Sequence, residues 1–416
     1  MPNFKRTKLA CYTAYFTMSS IFSVPPLLFM TFHNLYNISY TLLGTLVLTN
    51  FCTQMLVDLV FTLFSKKFNV KKVVRVMPCI TAFGLFAYAL IPMFFPQNAY
   101  LGLVIGTIIF SISAGLSEVL LSPVIAAIPS DNPQKDMSML HSLYAFGFFT
   151  MVVISTLFLK IFGNANWSYL VLLIGALPLT AAVMFKISPF PDMTEEASQE
   201  KNKEKNKNRT IGLALCVGSI FLGSCAENTM SNWISTYMEN ALNIDKALGD
   251  ILGMAMFAIL LGITRITYAK RGKNISKFLL ISMLCAAICY LTISISNNTI
   301  LSFACCILTG IFTSMLWPGT LILMEEKVKG VGVAAYALMA SAGDFGASLA
   351  PQLMGIVVDN VSVSKFALEM SNTLNLTPEQ IGLKIGMLIT SIFPILGTVL
   401  LMFIIKYFKK NKSQEL

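Results

Sequence analysis

Apolar runs, each about 20 residues long, recur along the chain between short polar stretches, and that length suits a helix crossing a bilayer. Twelve spans are expected, at about 9–32, 40–64, 73–95, 99–128, 138–162, 167–187, 210–238, 247–269, 276–295, 298–324, 331–357 and 382–407. The first contains Pro25 and Pro26 and leads straight into further spans, so it reads as a retained helix rather than a removable signal. One segment breaks the pattern: "PDMTEEASQEKNKEKNKNRT", Pro191 to Thr210. It is charged, has no apolar period and cannot bury enough surface to order itself. The pattern predicts an all-α membrane protein with two six-helix bundles, 1–188 and 210–416, joined by a linker at 189–209.

Composition agrees. The 416 residues are 56% hydrophobic and 12% charged, with a mean hydropathy of +0.72. A soluble domain carries roughly 25% charged residues, so these charges are too few to cover a water-facing surface. With the N-terminus placed in the cytoplasm, the outer side holds only Lys160, Lys246, Lys365 and Lys384, and the remainder of the 30 Lys and Arg lie inside. The positive-inside rule then puts both termini in the cytoplasm, at the cell membrane. The net charge of +10 reflects this topology and contact with lipid headgroups. It does not point to nucleic acid, because the basic residues of the linker alternate with acidic ones.

Nine cysteines lie mostly singly within spans, with no C-x-x-C, and two histidines, His33 and His141, are too few for a His-rich metal site. No Walker loop, nucleophile elbow or dinucleotide fingerprint occurs. The chain reads as a non-enzyme without metal or cofactor.

The chain also repeats. "GLSEVLLSP" (Gly115 to Pro123) matches "GIFTSMLWP" (Gly310 to Pro318), and "HSLYAFG" ending at Gly147 matches "ASAGDFG" ending at Gly346. Two matches in order, at nearly one offset, indicate duplicated halves, a transporter design with a midplane site between them.

On these residues the chain resembles the major facilitator superfamily, and within it the fucose permease and sugar:proton symporter branch. That branch carries a fourth-helix Glu five residues before a Pro, as Glu118 precedes Pro123. Its fifth helix opens with a His and reaches a Gly six residues later, like His141 and Gly147. Its seventh helix reads Glu, small residues, Trp, aromatic, like Glu227, Trp233 and Tyr237 in "AENTMSNWISTY". "WPGTLILMEE" and "GDFGASLAPQLMGIVVD" look like its tenth and eleventh helices. The loop after the second span departs, with Ser65 where the superfamily has an Asp, whereas the loop after the eighth keeps Gly262, Arg265 and Gly272. The first span lacks the branch's acid. The resemblance implies a monomeric secondary transporter whose fourth and seventh spans line a central cavity.

A carboxylate at helix centre costs about 2.5–3.5 kcal/mol on insertion scales, so Glu118, Glu227 and Asp344 are candidates for proton coupling. Glu118 and Glu227 also belong to the expected substrate site, with His141, Tyr144, Asn228, Asn232, Trp233 and Trp317. Asn228 and Asn232 share one helix face and offer amide donors and acceptors to hydroxyls. Trp233 and Trp317 are expected to stack on a sugar face. Asp344 is expected to pair with Arg265 or a lysine. Asp58, on one face with Gln54, is expected to pair with a basic loop residue; Asp58 and Arg265 are thus the gating candidates. No Arg or Lys is apparent at the middle of spans 1, 4, 7 or 10, which suggests a neutral solute such as a monosaccharide, carried with protons. A drug:proton antiporter is the alternative, disfavoured because span 5 has one Gly and no Pro. A non-transporting membrane receptor is less expected, for want of a soluble sensor domain.

Overall fold

The computed structural model describes residues 4–64, 68–131, 133–191, 207–328 and 333–414. The first span is built in three pieces, α1 (Lys5–Met18), α2 (Ser20–Leu27) and α3 (Phe29–Tyr36). Pro25 and Pro26 lie inside α2. Each removes a backbone donor and crowds the preceding turn, and the axis bends by 46° before α3. Five long helices follow: α4 (Tyr40–Phe64), α5 (Val70–Phe94), α6 (Ala99–Ala126), α7 (Pro133–Phe162) and α8 (Trp167–Ile187). α9 (Lys207–Thr236) opens the second series. The short α10 (Lys246–Leu248) runs through π-helical turns at Gly249–Ala255 into α11 (Met256–Arg271). α12 (Ile275–Ile295) is continuous, while the next span is split into α13 (Thr299–Thr313) and α14 (Pro318–Lys327). α15 (Val333–Ser362), α16 (Lys365–Leu374), α17 (Pro378–Thr390) and α18 (Ile392–Gln414) complete the chain.

Among the described residues, ten helical stretches are long and apolar enough to cross a bilayer, and the bent first span makes eleven. α15, with 30 residues, is also long enough to span, but it carries Asp344, Gln352, Asp359 and Asn360. No strand occurs among the described residues. The protein is an all-α, multi-pass membrane protein. The linker lies largely outside the described residues.

Contacts divide the chain into two units: Met1–Glu195 with Lys246–Ala258, and Glu196–Asp245 with Ile259–Leu416. In the first unit, α5 packs on α6 and α8, and α1 on α7 and α8. The stretch Lys246–Ala258 packs on α7 in this unit. In the second, α9 packs on α15 and α18, and α15 on α17.

Small residues set these approaches, as expected where apolar surroundings give helices no hydrophobic reason to associate. A Cβ on Gly147 of α7 would sit 2.5 Å from the Phe16 carbonyl oxygen of α1. In the second unit, a Cβ on Gly346 of α15 would collide with the Phe221 carbonyl of α9. The glycine pair that marks the sequence repeat therefore makes the same helix-on-backbone contact in each unit.

Candidate functional site

The first unit carries a polar seam between α4 and α6. α4 presents Asn50, Gln54 and Asp58 at i, i+4 and i+8, and α6 presents Thr107, Ser111, Gly115 and Glu118, each set along one helix face. Asn50 and Gln54 are buried. The Gln54 amide donates to Asn50 Oδ1 at 2.9 Å, and the Ser111 hydroxyl lies 2.6 Å from the same oxygen. One turn on, α4 reaches α6 at Gly115, where a Cβ would lie 3.2 Å from Asp58 Oδ1. That oxygen is buried and finds no hydrogen-bond partner among the described residues. Its electrostatic neighbour is Glu118. Among the described residues the neighbour of Asp58 is thus a second carboxyl; Lys66 and Lys67, of the basic loop expected to supply its partner, lie outside them. Glu118 is exposed, although Gly115, Ser117, Leu120 and Leu121 around it are buried.

Tyr144 on α7 is half-buried, its ring edge against Phe22 of α2 at 5.6 Å between centroids. His141 is one turn before it in the same helix, but its side chain lies outside the described residues.

The second unit is organised around Arg265 of α11. Its terminal nitrogen lies 3.1 Å from Glu227 Oε1 of α9, and its Nε–H donates to the Ser314 carbonyl at 2.8 Å. Ser314 sits four residues before Pro318, at the break between α13 and α14. Pro318 has no N–H to offer the i−4 carbonyl, so a guanidinium from another helix supplies the missing donor. This corrects two expectations. Arg265 pairs with Glu227 rather than Asp344, and a cation does reach the middle of the seventh and tenth spans, carried in from the eighth. Sequence reading missed it because Arg265 itself is nearer the end of its helix, and its long side chain covers the remaining distance.

Trp317 is half-buried at the start of α14, with its ring lying on Gly343 of α15, next to the buried Asp344. The Asn228 amide donates to the Ser224 carbonyl at 3.2 Å, and that of Asn232 to the Asn228 carbonyl at 2.8 Å. Trp233 is 0% exposed and donates its indole N–H to the Pro351 carbonyl at 3.1 Å. It is a packing residue between α9 and α15, not an open stacking platform. It falls one position round the helix from Asn232, and that rotation turns it into the bundle.

Three polar residues went unpredicted in the first unit. Lys246 donates to the Leu27 carbonyl at 3.0 Å, at the bend of the first span, and lies 3.7 Å from Asp250. Thr156 of α7 donates to Asp250 at 3.4 Å. The Leu27 carbonyl lies at the bend that follows the prolines of α2. Among the described residues, no group of three or more His, Cys, Asp or Glu is arranged to hold a metal ion.

Apolar helices in two units, each with an internal polar cluster and a matching glycine contact, define a multi-pass membrane protein built of two similar halves. The family model of the Major Facilitator Superfamily matches residues 9–351, and the chain belongs to that superfamily. Its fold is similar to that of a bacterial homolog of the human lysosomal transporter Spinster, inward-facing and occupied (TM-score 0.72, 13% identity, 97% of each chain covered). It is also similar to a D-xylose–proton symporter (0.73, 14%, 94% of this chain and 96% of that one). A third likeness is the inward-open xylose transporter XylE from E. coli (0.70, 12%, 97% and 96%). No curated protein matches the sequence.

Proposed function

We propose that this transporter moves a small polar solute by alternating access, coupled to protons through Glu118. The observation that carries the reading is the polar seam of the first unit. It ends in an exposed carboxyl, Glu118, beside Asp58, a second carboxyl with a buried oxygen that has no hydrogen-bond partner among the described residues. Two neighbouring carboxyls repel each other when both are charged and do not readily carry two charges. The pair is therefore suited to take up and release one proton. Glu227, by contrast, faces Arg265, and its charge is compensated in place. That pairing favours Glu118 as the coupling group over Glu227.

A monosaccharide is the proposed solute. In the second unit, the half-buried ring of Trp317 and the half-buried amide of Asn228 supply a stacking face and a polar contact for hydroxyls; in the first, taken by itself, the half-buried ring of Tyr144 supplies a stacking face. Structures of the same fold include a D-xylose–proton symporter, which supports the sugar reading as an analogy of fold. Arg265 does not argue for an anionic solute, because Glu227 and Ser314 already hold two of its nitrogens.

The test is paired transport in proteoliposomes against a panel of labelled sugars. Glu118→Gln keeps the shape and fixes the neutral form. Counterflow without a gradient should persist in this variant, and accumulation driven by a proton gradient should be lost. Gradient-driven accumulation that survives in Glu118→Gln would remove Glu118 as the coupling group. Absence of flux for every sugar in the wild type would remove the sugar reading.

A further inference from the structure

The chain between α15 and α17 does not simply turn; it folds as a separate helix, α16. Its ends are built locally. Ser364 accepts a hydrogen bond from the Ala367 N–H at 3.1 Å, and Asn375 stops the helix in the left-handed conformation at φ 52°. Thr377 and Gln380 then form a capping box that starts α17. Thus α16 is not a frayed end of either neighbour. It packs chiefly on α17 and also touches α15, with Ala367 fully buried.

Beside that contact runs an unpaired apolar stripe. Phe366, Met370 and Leu374 recur at the spacing of one helix face, and Val363 stands in the turn just before the helix. Val363 is 82% exposed and Phe366 52%. Lys365 and Asn372 lie on the other side, with Glu369 at the edge between the two. Leu368, also exposed, is two residues from Phe366 and so about 200° round the helix.

Two observations choose what covers the stripe. The first is tether length. α15 ends at Ser362 and α16 begins at Lys365; α16 ends at Leu374, and the membrane span Pro378–Lys410 begins four residues later. Links so short reach only about 10 Å, so α16 stays at the level where the spans leave the membrane. The second is the setting: the two helices that α16 joins, α15 and α17, themselves expose Ile356, Leu388 and Ile389, apolar side chains of the kind that meet lipid chains on a membrane-spanning helix. Charge adds no other partner, since Lys365 and Glu369 are of opposite sign at i and i+4.

We propose that α16 lies in the headgroup–acyl boundary of the bilayer, with Val363, Phe366, Met370 and Leu374 among the lipids and Lys365 and Glu369 toward water. It then anchors the junction of α15 and α17 to the membrane surface, as an amphipathic helix with a strong apolar face does.

The full chain, reconstituted in phosphatidylcholine vesicles, tests this with p-benzoylphenylalanine in place of Phe366 or, separately, of Leu368. Both side chains are exposed, so neither replacement disturbs the core. Ultraviolet irradiation should give phospholipid adducts at 366 and several-fold fewer at 368. Equal yields at both positions, or none at 366, would overturn the proposal. So would adducts from 366 to a second copy of the chain. As an independent measurement, brominated lipid should quench the added emission of Phe366→Trp more than that of Leu368→Trp; the reverse order would also overturn it.

Discussion

Arg265 shows how much one side chain can decide. It joins three helical segments of its unit: its own α11, Glu227 on α9, and the carbonyl released by Pro318 at Ser314. A lysine cannot serve both acceptors, because a point ammonium lacks the planar fork of the guanidinium. Arg265→Gln is expected to lower stability by about 1–3 kcal/mol, toward the low end because the guanidinium is 32% exposed. Much of that loss comes from stranding Glu227. The double variant Arg265→Gln with Glu227→Gln should therefore be more stable than the sum of the two single losses implies. Thermal unfolding of the purified protein in detergent reads this directly, and strictly additive losses would show that the two side chains act independently.

Among the elements, the closest approaches are made by glycine. Gly346 lets α15 lie on the backbone of α9, and Gly147 does the same for α7 on α1. A methyl group at Gly346 meets a backbone carbonyl, which cannot swing aside as a side chain can. Gly346→Ala should cost about 1–3 kcal/mol through forced separation of the two helices. Gly218→Ala is the control: its Cβ would meet only the terminal methyl of Leu400 at 3.2 Å, which can rotate away. Thermal midpoints that fall equally in both variants would mean that helix propensity, not helix contact, governs these sites.

For the whole molecule, pH acts on the polar contacts outside the membrane. Asp136, in the first turn of α7, takes a hydrogen bond from Lys8 of α1, and Ser130 and Tyr12 donate to it as well. The Lys8 bond, then that of Ser130, holds its carboxyl below the usual carboxylate value. A carboxyl lowered in the folded state binds its proton more readily when unfolded. Its stabilisation is thus complete above the unfolded value and is lost as pH falls through the folded one. The wild type should lose thermal stability as pH drops from neutral through the carboxylate range. Asp136→Asn should start lower and lose less over the same interval. Parallel curves for the two proteins would show that Asp136 contributes nothing to the acid sensitivity.

Hydropathy alone settled most of the architecture, because a bilayer demands long apolar helices whose backbones are satisfied internally. The repeat was legible for a related reason. Gly147 and Gly346 stand where a helix must touch another helix's backbone, and only a residue without a side chain fits. Glu118 and Asp58 stood out as charges in apolar runs, and the i+4 spacing of Gln54 and Asp58 already placed them on one face. What the sequence could not contain was the choice of partner across helices. Whether Arg265 meets Asp344 or Glu227, and whether Trp233 turns outward or into the bundle, depends on helix rotation and on the reach of side chains from segments far apart in the chain. The carbonyls at the helix breaks, those of Leu27 and Ser314, are the sharpest case. Proline announces each break locally, but the cation that answers it, Lys246 or Arg265, comes from a helix that only tertiary packing brings alongside.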